Sequence, residues 1–170
     1  KFMKRYQNYV LISLFSIFFI VSLLTFKDYG IGIEENFQRA SGFYWLNYLL
    51  NFTEFEKFKD LVNYKVNELY IFNPNLPGVE KNLSYGIVFD LPAALLEIFF
   101  NFEKNQHNVF LKHYLNFILF FSSTICFCLL IKKKFLNPYV TFFGTLIYFL
   151  TPRIYGSSYF DGKDLFFLSI

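Results

Sequence analysis

Three long stretches of this chain contain no Asp, Glu, Lys or Arg: Tyr9–Phe26, Tyr114–Ile131 and Phe135–Thr151. At about 1.5 Å of helical rise per residue, each reaches about 26 Å, close to the thickness of a bilayer's hydrocarbon core. That absence of charge argues against a soluble domain. So does a composition that is 55% hydrophobic with 27 Phe and 13 Tyr. Cysteine is nearly missing too. Cys126 and Cys128 both fall in the second stretch, and two residues apart on a helix they point to nearly opposite sides. This excludes a disulfide framework and a shared metal and leaves core packing as their role. Neither an internal repeat nor a low-complexity segment stands out.

The charges that remain are sorted by segment. Lys1, Lys4 and Arg5 precede the first stretch with no acid, and Lys132, Lys133 and Lys134 separate the second from the third. The segment Lys27–Lys112 instead holds eight basic and eleven acidic residues. Lys and Arg gather on the cytoplasmic side of short loops, so the N-terminus and the lysine triplet belong inside, and Lys27–Lys112 and the tail after Thr151 outside. The net charge of +3 therefore speaks to orientation and not to nucleic acid. The first stretch is longer than the ~7–15 apolar residues of a secretory signal and has no small-x-small exit, so it is an uncleaved anchor.

The expected architecture is all-α and integral to the membrane. It has spans at 9–26, 114–131 and 135–151 and the start of a fourth at 165–170, as in the N-terminal part of a larger polytopic protein. An outer loop covers 27–112, an inner loop 132–134 and a second outer loop 152–164. Within the first outer loop, Glu34–Phe52 opens with acids and reads as a helix, with Phe37, Phe43, Tyr44, Trp45 and Tyr48 suiting the membrane interface. Phe55, Phe58, Val62, Val66 and Leu69 recur at helical spacing, with Glu56, Lys57, Lys59 and Lys65 on the remaining surface. Asn73–Gly78 is a loop by composition. Gly86–Phe102 is apolar, but each of Asp90 and Glu97 would cost about 2.5–3.5 kcal/mol at the centre of a span. It is therefore a juxtamembrane helix, with Asp90 as N-cap and Pro92 in its first turn.

Four constellations have chemical potential. Glu34-Glu35, followed by Gln38, Arg39 and Gly42, is a carboxylate pair just beyond the first span, able to start a helix, hold a divalent cation or act as a general base. The outer tail packs Thr151-Pro152-Arg153, Gly156-Ser157-Ser158 and Asp161-Gly162-Lys163-Asp164 between apolar runs. It is either a phosphate clamp or a polar hairpin with interface-anchoring cations. Asp90 and Glu97 share a helix face and could line a groove, though capping and solvation serve as well. His113 opens the second span and His107 lies six residues earlier, without metal-ligand spacing. Asn51-Phe52-Thr53 and Asn82-Leu83-Ser84 match the glycosylation sequon.

In their order and shared sidedness these parts resemble the membrane glycosyltransferases of the GT-C class. The resemblance is to the family 39 or RgtA/B/C/D-like group, related to protein mannosyltransferases and lipid A aminoarabinose transferases. That group opens its first outer loop with an acidic pair, then a Gln and a Gly, as in Glu34-Glu35…Gln38…Gly42. Tyr85-Gly86…Phe89-Asp90-Leu91-Pro92…Glu97 matches its juxtamembrane helices, and Pro152-Arg153…Gly156…Lys163-Asp164 its second outer loop. Glu34 stands where the group usually has Asp. The resemblance implies an inverting transferase, sited in a bacterial inner membrane, that moves a sugar from a polyprenyl-phosphate donor to a glycan, lipid or protein acceptor. Glu34 would be the base, with Arg153 and Lys163 on the donor phosphate. Asp164 with Glu35 would hold a divalent cation such as Mg or Mn, or orient the loop, and Gln38, Asp90, His113 and Asp161 would be supporting residues. Glu34 or Glu35 would then lie within about 12 Å of Lys163 or Asp164, a gap that a sugar ring and one bridging group fill.

The alternatives are a transporter or flippase of lipid-linked intermediates and a non-catalytic membrane assembly protein. Transport usually needs ionisable or broken-helix positions within the spans, where this chain offers Asn116, a few Ser and Thr, Pro138 and Gly144. The topology is tested by labelling intact cells with a membrane-impermeant thiol reagent, after replacing Cys126 and Cys128. Glu34→Cys should be labelled and Lys133→Cys should not.

Overall fold

The computed structural model describes residues 2–32, 34–72, 75, 77–79, 87–102, 104–162 and 164. The described residues form seven helices: α1 (Phe2–Thr25), α2 (Glu35–Leu50), α3 (Glu56–Phe72), α4 (Asp90–Phe100), α5 (Asn105–Phe135), α6 (Pro138–Leu150) and α7 (Pro152–Ser157). Among those residues there is no strand. Lys163, the 82–84 sequon, Tyr85-Gly86 and the expected fourth span at 165–170 lie outside them. The chain divides into two compact units. The first is built from α1, α5 from His113 onward, α6 and α7, and the second from α2, α3, α4 and the opening turns of α5.

In the first unit, α1 and α5 are long and apolar enough to cross a membrane. Tyr9, Ile12, Ile17, Ile20 and Leu24 of α1 are each more than half exposed, an outward apolar face that lipid covers better than water. The inward face is aromatic. Phe117, Phe120, Phe149 and Tyr159 form the core, with Phe18 stacked on Phe149 at 3.9 Å and Tyr29 on Tyr159 at 4.1 Å. Several polar side chains on the apolar helices find partners nearby. Thr124 and Thr145 donate to carbonyls four residues back, and Asn116 Nδ2 donates to the Tyr159 carbonyl at 2.9 Å.

The third charge-free stretch differs from expectation. α6 has 13 residues, about 20 Å of helix and short of a full crossing. Its end follows from Pro152, which cannot continue the ladder; Thr151 turns extended and α7 starts with the proline in its first turn. Nor are Lys132–Lys134 a loop. They form the last turn of α5, where cations face the negative end of the helix dipole. The connection is instead Leu136, with φ 49°, and Asn137, whose Oδ1 caps α6 by accepting from Tyr139 N–H. Cys128 is buried as expected but Cys126 is exposed, and neither is in a disulfide.

In the second unit, α2 packs against α3 and α4 around Phe37, Ala40, Phe43, Leu46, Val62, Leu69, Ala94 and Ile98. Phe37 and Phe43 therefore point into a core and not onto an interface. Along α3, Val62 and Leu69 are buried as their spacing predicts, but Phe55 and Phe58 are exposed. Lys65, expected on the surface, is buried; its ammonium donates to the Phe102 carbonyl at 3.3 Å and pairs with Glu68 at 3.7 Å. α4 is confined to 90–100 and ends at Asn101 in the left-handed conformation, φ 42°. Phe89, not Asp90, occupies its cap position and makes no side-chain cap bond. Asp90 is the first helical residue, and its carboxylate is drawn to Lys112 at 3.7 Å. Pro92 lies in the first turn, where its missing N–H has no ladder partner to lose.

Gly42 is what lets α2 and α4 meet. A Cβ there would lie 2.4 Å from the Asp90 backbone oxygen, an approach that backbone cannot relieve by a rotamer change. Gly42→Ala should cost about 1–3 kcal/mol. Gly78→Ala, with nothing within 4 Å of its added Cβ, should be near neutral. Trp45 is the only tryptophan of the chain and sits on α2, so thermal unfolding followed by its fluorescence separates the two.

Candidate functional site

Three helices of the second unit each present a buried polar stripe. On α2 it is Glu35, Gln38 and Arg39; on α4, Asp90 and Glu97; on the opening turns of α5, Asn108 and Lys112, with the half-buried Asn105 at its edge. The spacings are three, four or seven residues, each a return to the same helix face. Burial decides their status: Glu35 is 2% exposed, Lys112 5%, Glu97 4% and Asp90 6%. Two cations and three carboxylates have thus left water together, which is tolerable only with partners of opposite charge and hydrogen bonds for the rest.

Those partners are specific. Arg39 grips Glu97 with two guanidinium nitrogens, Nε to Oε2 at 2.8 Å and Nη2 to Oε1, and gives Nη1 to Asn105 Oδ1. This two-pronged geometry suits the planar fork of arginine. Lys112 Nζ donates to Gln38 Oε1 at 3.1 Å and to the Glu35 backbone carbonyl at 3.2 Å, and pairs with Asp90 at 3.7 Å. One ammonium therefore ties the first turn of α2 and the first residue of α4 to α5. Glu35 Oε2 accepts from Gly32 N–H at 3.0 Å, closing the turn that leads into α2. Asn108 is 2% exposed, and neither atom of its amide has a hydrogen-bond partner among the described residues. Such a buried amide costs about 1–3 kcal/mol and leaves binding capacity unused.

The structure sorts the candidates. Glu35, Gln38 and Asp90 belong to the cluster. Glu34, beside Glu35, is exposed at the helix entrance, and its carbonyl accepts from Gln38 N–H at 2.9 Å. Asp161 is half-buried in the second unit. In the first unit, Arg153 on α7 and Asp164 are exposed, and His113 is fully buried. Solvation does not explain Asp90 and Glu97, since both are buried and ion-paired. Among the described residues, no three His, Cys, Asp or Glu side chains gather as a metal site requires. Lys112, Asn105 and Asn108 join the site without being among the expected residues, and Arg39 gains a role in it. The signal was present: polar residues at 105, 108 and 112 repeat at helical spacing just ahead of an apolar stretch, as Asp90 and Glu97 do on α4.

No protein-family model, curated protein or solved structure matches the chain. The residues themselves carry the functional argument.

Removing one member of the Arg39–Glu97 pair strands a charge in the interior. Arg39→Met or Glu97→Met alone should destabilise the second unit by about 3–5 kcal/mol, and the double Arg39→Met/Glu97→Met should be far milder. Trp45-monitored unfolding of the four proteins gives the double-mutant cycle.

Proposed function

We propose that this chain is a membrane glycosyltransferase of the GT-C kind, which moves a sugar with inversion from a polyprenyl-phosphate donor to an acceptor hydroxyl at the outer face of the membrane. It has three spans, and α6 with its flanking residues contributes the third. The observation that carries this reading is the division of labour in the acidic pair. Glu35 is buried and its Oε2 accepts from Gly32 N–H across the turn, while the adjacent Glu34 is exposed at the helix entrance. A general base needs that combination of access and fixed position.

Glu34 takes the proton of the acceptor hydroxyl as its oxygen bonds to the anomeric carbon, and the bond from that carbon to the polyprenyl-phosphate oxygen breaks on the opposite side. The leaving phosphate gains negative charge that a cation has to meet, and Arg153 and Lys163 are the candidates that the resemblance implies. Glu35 uses one carboxylate oxygen on Gly32 N–H and lies in the field of the Lys112 ammonium. That donor set suits a charge pair, not a divalent cation, so no step runs through a metal. Gln38, Arg39, Asp90, Glu97 and Lys112 are positioning residues. A transporter is less well supported, because the polar groups on the apolar helices bond to nearby backbone: Thr124, Thr141 and Thr145 to their own helices, and Asn116 to Tyr159. An aqueous path would need them turned toward it.

The test is transfer of a radiolabelled sugar from polyprenyl phosphate by the full-length protein in its membrane. Glu34→Gln should lose about 10²- to 10⁴-fold in rate with Trp45 emission unchanged. Glu35→Gln should lose activity together with a shift in Trp45 emission and stability. Wild-type transfer by Glu34→Gln would falsify the assignment.

A further inference from the structure

A groove of about 640 Å³ runs between α1 and α5 within the first unit. Leu11, Phe15 and Phe19 line it from α1, and Phe121, Ile125 and Leu129 from α5. Both sets step by four residues, so each helix turns one continuous apolar stripe to the groove. From Leu11 to Phe19, and in the opposite chain direction from Leu129 to Phe121, the lining extends about 12 Å. One end is polar: Lys132 Nζ donates to Asn8 Oδ1 at 2.8 Å. A second apolar cavity, on the same turns of α5, ends at Lys133 and Lys134.

The charge at this end is all of one sign. α5 brings Lys132–Lys134, while 1–26 and 113–160 contain no acidic residue. We propose that the groove holds an acyl chain of an anionic phospholipid, with the headgroup phosphate on Lys132 and its neighbours. The apolar lining takes the chain and the unopposed cations take the phosphate, so one molecule satisfies both features. Lysine clusters beside a span attract anionic lipid by about a fivefold factor per residue. A second copy of the chain fits less well. Two copies inserted in the same orientation would set lysine end against lysine end, a like-charge contact. The site differs from any donor site in needing no sugar, and it does not rest on the glycosyltransferase reading.

Native mass spectrometry of the full chain, released from bilayer nanodiscs made of equal parts phosphatidylglycerol and phosphatidylcholine with identical myristoyl chains, tests it. Phosphatidylglycerol should be retained at least tenfold over phosphatidylcholine. Ile125→Trp, which fills the groove, should remove that retention, and Lys132→Gln should lower it about fivefold. Circular dichroism checks that each variant keeps its helix content. Lys132→Gln, at the polar end and outside the packed core, decides the headgroup claim even if Ile125→Trp does not fold. Equal retention of both lipids, an unchanged profile in Lys132→Gln, or a dimer that holds no lipid would each overturn the proposal.

Discussion

A charge withdrawn from water has to be met inside the protein, and that requirement organises the second unit from the start of α2 to the start of α5. Apolar contacts among Phe37, Phe43, Val62 and Ile98 favour compaction but tolerate sliding, because dispersion is not directional. The ion pairs do not tolerate it. A shift of one residue along α4 would move both Asp90 and Glu97 off the face that meets Lys112 and Arg39. Our hypothesis is that the pairs set register while the apolar core supplies the driving force. The double-mutant cycle separates the two contributions. Gly42 belongs to the same device, since Asp90 reaches Lys112 from a backbone that lies against α2 where only a glycine fits.

The first unit meets the opposite constraint with opposite means. Its long helices carry no ionised side chain between Tyr9 and Phe26 or between Tyr114 and Ile131, so what must be satisfied is the hydroxyl and amide groups. Threonines return their protons to their own helices. Ser123 meets Tyr148 at 3.0 Å, and the Tyr159 hydroxyl donates to that of Tyr155 at 3.0 Å. Aromatic rings do the packing that ion pairs do elsewhere, with stacked and edge-on contacts through Phe117, Phe149 and Tyr159. The cations left over are confined to helix ends, where solvent or a headgroup can reach them.

Charge-free length was the most legible signal, because excluding ions from a helix of about 18 residues needs a cause that short-range propensity does not supply. It located α1 and α5. It overestimated α6, because the count of uncharged residues does not register that Pro152 stops a helical ladder. Lys132–Lys134 read as a loop from composition alone, although lysine is a good helix former and is favoured at a C-terminus. In the second unit, the hydrophobic period placed Val62 and Leu69 inward but also Phe55 and Phe58, which are exposed, and the rule that lysine faces solvent sent the buried Lys65 outward. The buried cluster is half legible: acidic and amide residues near a span mark Glu35, Gln38 and Asp90, whereas Lys112 is indistinguishable in sequence from a cation that ends a polar segment. Burial of a charge depends on partners far apart in sequence, and no local pattern encodes that Lys112 and Glu35 are neighbours across 77 positions.

The acidic pair shows why two adjacent carboxylates can have unlike roles. Consecutive residues at a helix start project about 100° apart around the axis, so when one faces the core its neighbour tends to face outward. Glu35 takes the inner position, where Gly32 N–H and the Lys112 field hold it. Glu34 takes the outer one. A single acid at this turn would have to choose between anchoring the backbone and meeting a substrate. On the proposed reading the pair would separate the tasks, with the buried member tied to the turn and the exposed member left to reach a substrate. Glu34 carries one more methylene than the aspartate usual in the resembling group, so its carboxylate stands about one bond length further from the backbone. A fixed turn can accommodate that extra length by setting the helix entrance back. A mobile loop would instead let the longer side chain wander and lose the alignment that proton transfer needs. If Glu34 is the base, as proposed, the Gly32–Glu35 contact is what would make a glutamate workable at this position.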